Sequence, residues 1–177
     1  MKKLILFFLV PIAISCNNEG DSKDAKKDSA KANTPASAMN YPYTIDHPDN
    51  WEIGNNANTL AVLNSLKAWE DGKMEETMKY FADSVRVQFD GLDKKMSNDS
   101  LKAMFTGSRN AYKSMHIKME DWESVVSKDK SQEWVTLWYT QHSETKKGVV
   151  DSSDIINDLQ LMNGKIVRLD EYTRKLH

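Results

Sequence analysis

Two ionisable residues, Asp154 and His142, could carry out acid–base chemistry. An aspartate in an apolar pocket has a raised pKa and can act as acid or base, and a histidine changes charge near neutral pH. We place them on neighbouring antiparallel strands, where the two side chains could pair if the register allows it. Each has a plain alternative, because Asp154 could face solvent from a polar strand edge and His142 could be a hydrated residue beside a lysine-rich turn.

Four further residues are candidates for lining a ligand pocket near this pair. Tyr112, on the predicted third helix, and Tyr172, on the last predicted strand, could donate hydroxyl hydrogen bonds into a cavity. Buried tyrosines more often anchor a core with a satisfied hydroxyl. Trp138 and Asn157 would add an aromatic ring and an amide from the two strands that carry His142 and Asp154.

Metal and nucleophile chemistry have no supporting motif in the sequence. The four histidines are scattered without a short ligand spacing. The chain also has no glycine-rich phosphate loop and no G-x-S-x-G nucleophile turn. We therefore expect no metal and no cofactor.

Hydrophobic spacing predicts three helices in the first half of the folded part. Apolar residues recur every third position from Leu60 to Trp69, behind a cap at Asn58 or Thr59. Two more helices are indicated by apolar residues at helical spacing: Met74, Met78 and Phe81, then Leu101, Met104, Phe105, Ala111, Tyr112 and Met115.

Alternating patterns predict strands over residues 85–89, 116–126, 134–144, 149–162 and 166–173. Asn163-Gly164 is a strong signal for a hairpin between the last two strands. Helices followed by a meander of strands are typical of a segregated α+β architecture.

The first residues have the order of a secretory signal, with Lys2 and Lys3, an apolar run, and a small residue before Cys16. The run is too short for a spanning helix, which needs about 20 residues. Residues 13–16 resemble a bacterial lipobox, with Ala13 where leucine is usual. The resemblance implies a signal peptide over residues 1–15 and acyl chains such as palmitate on Cys16. It also implies a lipid anchor to the membrane in the envelope of a Gram-negative bacterium.

Asn17 follows the cysteine where aspartate would retain the protein in better-known sorting systems, so we expect the outer membrane. Residues 16–40 then form the lipidated cysteine and a solvated tether with almost nothing apolar to bury. Residues 41–177 hold all five tryptophans and suit one domain. The formal charge of −2 becomes −4 once Lys2 and Lys3 are removed, so we expect no binding to nucleic acid.

Three stretches of the chain have recognisable motifs: WEDGKMEE at 69–76, YFADSVRV at 80–87 and the closing hairpin LMNGKIVR at 161–168. They resemble the nuclear transport factor 2-like superfamily, near its SnoaL-like branch. The resemblance spans roughly residues 51–175 and implies a curved, mostly antiparallel sheet wrapped around three helices as a cone-like barrel. Such a cone often encloses a ligand pocket.

One enzymatic branch of this superfamily can be tested by position. The general-base aspartate of ketosteroid isomerases would fall on Phe89, and their oxyanion tyrosine would fall on Ser65. Asp90 comes one residue late, which points it to the opposite face of a strand. Since the chemistry needs both a base and a donor, we do not expect isomerase activity of this type.

Three functions stay open at this point. The first is an envelope lipoprotein whose SnoaL-like domain binds a small apolar ligand or a protein partner, without evident catalysis. The second is a small acid/base lyase, isomerase or cyclase that uses Asp154 with His142 or a tyrosine. The third is a scaffold module that forms a homodimer through its sheet.

Overall fold

The structure is a computed structural model, and it describes residues 41–45 and 51–176. The predicted signal peptide, the lipidation site Cys16 and the tether lie outside the described residues. Within the described part, no helix is long and apolar enough to cross a membrane.

Three helices supply one layer of the fold. They are α1 (Asn56–Glu70), α2 (Met74–Met78) and α3 (Asn98–Arg109). The cap of α1 is Asn55, whose side chain accepts a hydrogen bond from the Ala57 N–H at 2.8 Å. The predicted caps Asn58 and Thr59 instead lie inside the helix and are buried. Ser97 caps α3 by accepting from the Ser100 N–H.

Seven strands form a single sheet in the order β1-β4-β5-β6-β7-β2-β3. Their bounds are β1 (Trp51–Ile53), β2 (Phe81–Phe89), β3 (Leu92–Ser97), β4 (Tyr112–Ser127), β5 (Glu133–Thr145), β6 (Val150–Met162) and β7 (Lys165–Lys175). Every neighbouring pair is antiparallel except β2 with β7. The predicted α+β class, with a curved and mostly antiparallel sheet around three helices, is confirmed. The sheet does not close on itself, since β1 and β3 remain at its edges.

The structure corrects two boundaries and adds a strand. Phe81 begins β2 and does not extend α2. Tyr112 is the first residue of β4, because α3 ends at Arg109 with Asn110 as its C-cap. The sequence analysis missed β3, which pairs only with β2 across a two-residue turn at Asp90 and Gly91.

The core lies between the helices and the inner face of the sheet. Apolar side chains from all three helices and from four strands, β2, β5, β6 and β7, form one buried cluster: Val62, Met78, Phe81, Val85, Val87, Leu101, Val135, Leu137, Tyr139, Ile155, Leu159, Leu161, Ile166 and Leu169. Strand β5 shows how alternation divides the two faces. Val135, Leu137 and Tyr139 are buried in the cluster, whereas Trp134 and Trp138 lie on the outer face.

The predicted hairpin at Asn163-Gly164 is confirmed, and both residues have positive φ angles (52° and 72°). We expect Gly164→Ala to destabilise the fold by about 1 kcal/mol, because an L-residue is strained at that φ. Gly107→Ala is the matched control. It lies within α3, where a methyl group would meet no heavy atom within 4 Å apart from its own helix, so this variant should gain about 0.5–1 kcal/mol. Urea denaturation measures both, and equal effects would contradict the prediction.

Candidate functional site

A cavity of about 150 Å³ lies between the helices and the inner face of the sheet. Most of its lining is apolar or aromatic: Val62, Leu66, Trp69, Phe81, Phe89, Phe105, Leu137, Ile155, Leu159 and Leu169. Its polar lining consists of Ser65, Thr77, Ser108, Tyr112, Tyr139, Gln141, Asn157 and Glu171. A largely apolar pocket with a few convergent polar groups is the usual form of a small-molecule site.

Aromatic rings from two helices and a strand form one side of the cavity. The Phe105 ring packs against Trp69 at 5.3 Å between centroids and against Phe81 at 5.9 Å. Arg109 fixes the end of α1 that carries Trp69, because its guanidinium donates to the Trp69 carbonyl at 3.2 Å and the Glu70 carbonyl at 2.8 Å. The aromatic side is therefore held by the contact between the C-terminal ends of α1 and α3.

Polar groups from three neighbouring strands form the opposite part of the lining. Asn157 of β6 is in register with Leu137 of β5 on one side and with Glu171 of β7 on the other. The Asn157 Nδ2 donates to the Tyr139 hydroxyl at 3.0 Å. The Asn157 Oδ1 is buried and has no hydrogen-bond partner among the described residues. Such an unsatisfied acceptor in a cavity lining is uncommon and calls for an explanation.

Burial shifts the pKa values of two side chains in this polar part of the lining, Glu171 and Tyr139. It raises the pKa of the Glu171 carboxyl, against a smaller lowering by a hydrogen bond from Thr173. Burial also raises the pKa of Tyr139 well above its usual value, and the nearby Glu171 adds to this. The cavity therefore holds a carboxyl group that is easier to protonate than an ordinary glutamate.

The raised pKa of Glu171 predicts how its removal changes the pH dependence of stability. Between the ordinary value of 4.5 and the raised folded value, the folded state binds more protons than the unfolded state. The contribution of Glu171 to stability is therefore full below 4.5 and is lost as pH rises through the folded pKa. We expect Glu171→Gln to be more stable than the wild type at neutral pH and to lose this advantage toward acid pH.

Chemical denaturation of both proteins across this pH range measures the difference. Glu123→Gln, which removes an exposed carboxylate from β4, is the control and should give a flat difference. An equally flat difference for Glu171→Gln would contradict the prediction.

The two positions expected for ketosteroid isomerase chemistry both line this cavity, as Ser65 and Phe89. The Ser65 hydroxyl donates to the Thr77 backbone carbonyl at 3.2 Å, so its proton is already engaged. Phe89 is a hydrocarbon ring and cannot remove a proton. Asp90 lies in the turn after β2 and is exposed.

Asp154 and His142 lie outside the cavity, on the outer face of the sheet, and they do not pair. Asp154 accepts from Thr140 at 3.1 Å and forms an ion pair with Arg174. The Arg174 hydrogen bond lowers the pKa of Asp154, where a pocket acid would have a raised pKa. His142 is exposed and in register with Ser152, and its Nδ1 lies 2.7 Å from the Ser152 Oγ. The expectation that Asp154 and His142 line a pocket is corrected, because the alternation of β5 and β6 turns both side chains outward.

The four other candidates divide between the two faces of the sheet. Tyr112 and Asn157 line the cavity. Trp138 and Tyr172 are in register with Ile156 on the outer face, so their expected place in the pocket is corrected too. Tyr172 is 64% exposed.

The sequence analysis missed Glu171, Tyr139 and Gln141 as cavity residues. A usable signal was present in β7, where Leu169 and Glu171 are two positions apart and must therefore share a face. Across residues 41–45 and 51–176, no group of three His, Cys, Asp or Glu side chains is placed to hold a metal ion.

Solved structures similar to this chain share its helices and curved sheet. A nuclear transport factor 2-like protein of unknown function from Burkholderia pseudomallei superposes with a TM-score of 0.56 at 16% identity, covering 67% of this chain and 91% of that one. The chain has the nuclear transport factor 2-like fold. No protein-family model matches the sequence. No curated protein matches it either.

Two other similar structures come from Mycobacterium tuberculosis. One is a protein in complex with estradiol-17β-hemisuccinate, with a TM-score of 0.53 at 16% identity over 66% of this chain and 92% of that one. The other is an epoxide hydrolase, with a TM-score of 0.55 at 11% identity over 67% of this chain and 84% of that one. At these identities the likeness concerns the fold, and one fold hosts many functions.

Proposed function

We propose that this chain is a lipid-anchored lipoprotein of the bacterial envelope whose folded part binds a small, mostly apolar ligand. The observation that carries the binding function is the cavity of about 150 Å³ between helices and sheet, with an aromatic side and a small polar group. A cavity of this size can hold a benzene-sized molecule. A structure of the same fold in complex with estradiol-17β-hemisuccinate supports the binding of a small, mostly apolar ligand.

The binding function is tested by titrating the full chain with toluene and following the protein by NMR. We expect saturable shifts at residues that line the cavity. Ser65→Leu should abolish them, because Ser65 is buried at the cavity and a larger side chain would fill it. Trp138→Ala is the control on the outer face and should leave binding unchanged. Binding that survives Ser65→Leu, or no binding to the wild type, would overturn the function.

The anchor rests on the order of residues 1–16, from the lysines through the apolar run to Cys16. Two or more acyl chains hold a protein stably on a membrane, whereas one does so only marginally. Mass spectrometry of the protein extracted from the membrane fraction should show a mature N-terminus at Cys16 that carries acyl chains. A mature N-terminus elsewhere, or an unmodified cysteine, would contradict the anchor.

An acid/base enzyme is the second candidate, and Glu171 is the observation that favours it. Burial raises the pKa of this cavity carboxyl, which suits a general acid or base. An epoxide hydrolase shares the fold. The test is turnover of small epoxides and carbonyl compounds by the wild type and by Glu171→Gln. Turnover that is unchanged in the variant would exclude this role for Glu171.

A homodimer through the sheet is the third candidate. Trp138, Ile156 and Tyr172 form a row in register across β5, β6 and β7 on the outer face, and Ile156 and Tyr172 are exposed. An exposed apolar row can mark an interface. Sedimentation should show a dimer that Ile156→Lys dissociates, and a monomer at high concentration would exclude it.

A further inference from the structure

Within the described part of the chain, the lining of the cavity contains a carboxylate but no cationic side chain to pair with it. Glu171 is the one carboxylate among the described residues that line the cavity, and none of the others is Lys, Arg or His. Glu171 is half-buried, and a carboxylate withdrawn from water without a cation is unfavourable, which is the main reason why the pKa of this group is raised. The cavity therefore favours any occupant that brings a positive charge to Glu171.

A basic residue that lines a groove together with Glu171 is committed elsewhere. Arg168 shares with Glu171 an adjacent groove that also contains Asp90 and Asp170. Its guanidinium forms an ion pair with Asp170 at 2.7 Å and lies over the Trp134 ring at 5.4 Å, on the outer face. The titratable groups that share the cavity with Glu171 are the phenols of Tyr112 and Tyr139, and a phenol cannot supply a positive charge.

An unsatisfied acceptor belongs to the next strand. Asn157 is in register with Glu171, and its Oδ1 has no partner among the described residues while its Nδ2 is used by Tyr139. Glu171 and Asn157 together present a carboxylate and an amide oxygen. An ammonium group has three N–H donors and a positive charge, so it can satisfy both, whereas a hydroxyl has one donor and leaves the charge uncompensated.

The opposite side of the cavity also suits a cation with an apolar body. Trp69, Phe81 and Phe105 line it. Aromatic faces attract cations, and their rings bury the hydrocarbon part of a ligand.

We propose that the ligand of this cavity is a small amine, bound as its ammonium cation with N–H groups on Glu171 and Asn157 and its apolar body against the aromatic side. This proposal rests on the proposed binding function and names the chemical class of the ligand.

The test compares benzylamine, benzyl alcohol and toluene, which share one ring and differ in the polar group. Isothermal titration of the full chain at neutral pH should show benzylamine binding about tenfold or more tightly than benzyl alcohol, because hydrogen bonds between charged groups are stronger. Glu171→Gln should lose this preference, because no carboxylate then remains to pair with the ammonium group. Glu123→Gln, on the exposed part of β4, should behave as the wild type.

A second measurement needs no variant. Benzylamine should bind more tightly as pH rises from the ordinary glutamate value of 4.5 to neutrality, with proton release, because the cation requires an ionised Glu171. Toluene affinity should not follow this profile.

The outcomes separate the two proposals. The amine proposal would be overturned by equal affinity for benzylamine and benzyl alcohol, by no effect of Glu171→Gln, or by a benzylamine affinity that does not depend on pH. In each of these cases, toluene binding would still support the pocket. Failure of all three compounds to bind would overturn both.

Discussion

Leu101→Ala should destabilise the protein by about 3 kcal/mol, within the range of about 2–5 kcal/mol found for buried leucines. Leu101 is 0% exposed and is the fully buried residue of α3. Its removal would take away apolar contacts and leave a cavity between α3 and the sheet, because the surrounding structure relaxes only in part. The expected observation is a lower urea midpoint with an unchanged m-value.

Leu60→Ala is the matched control, because Leu60 lies on α1 with 59% of its surface exposed. The same chemical change should there alter stability by no more than about 0.5 kcal/mol. If both variants lost the same stability, Leu101 could not hold α3 to the core in the way the structure indicates.

Tyr139→Phe should cost about 1–3 kcal/mol, although it removes one oxygen atom only. Tyr139 is 2% exposed, and its hydroxyl accepts the hydrogen bond from the Asn157 Nδ2. Without it, the amide of Asn157, which is 6% exposed, would have neither its donor nor its acceptor satisfied. A buried polar group that loses its partner carries the full desolvation penalty.

The control for this prediction is Tyr172→Phe on the outer face, where the hydroxyl is hydrated and the change should be within about 0.5 kcal/mol. Asn157→Leu combined with Tyr139→Phe should recover part of the loss, because replacing both partners by apolar groups removes the penalty. A loss for the double variant equal to the sum of the single losses would show that the two groups do not interact.

The fold could be predicted from short signals that depend on local chemistry. The apolar stripe from Leu60 to Trp69 and the Asn163-Gly164 turn each specify a local structure, and both are found. Two elements were misread because local patterns there are ambiguous. Residues 92–97 are mostly polar, as expected for an edge strand with little to bury, and Tyr112 continues a helical spacing beyond the end of α3.

The site was harder to predict, because it depends on which face of each strand points inward. In β6, Ile155, Asn157 and Leu159 share the buried face, so Asp154 must point outward. Strict use of this alternation would have selected Asn157 over Asp154. The same alternation places Glu171 on the inner face with Leu169, but its position beside Asn157 follows only from the register, which local sequence does not set between distant strands.

The open edges of the sheet bear on how the protein resists aggregation. An unpaired strand edge is a template for adding strands from other molecules. Here β3 presents exposed Lys94 and Lys95 at one edge, and β1 at the other edge has only three residues. Beyond β1, the β4 edge is interrupted by a bulge, and the Glu70 carboxylate accepts the Ile117 N–H at 3.0 Å. The lysines of β3 protect one edge of the sheet. The short length of β1 and the Glu70 hydrogen bond to β4 protect the other. Both edges are therefore poor starting points for amyloid-like growth.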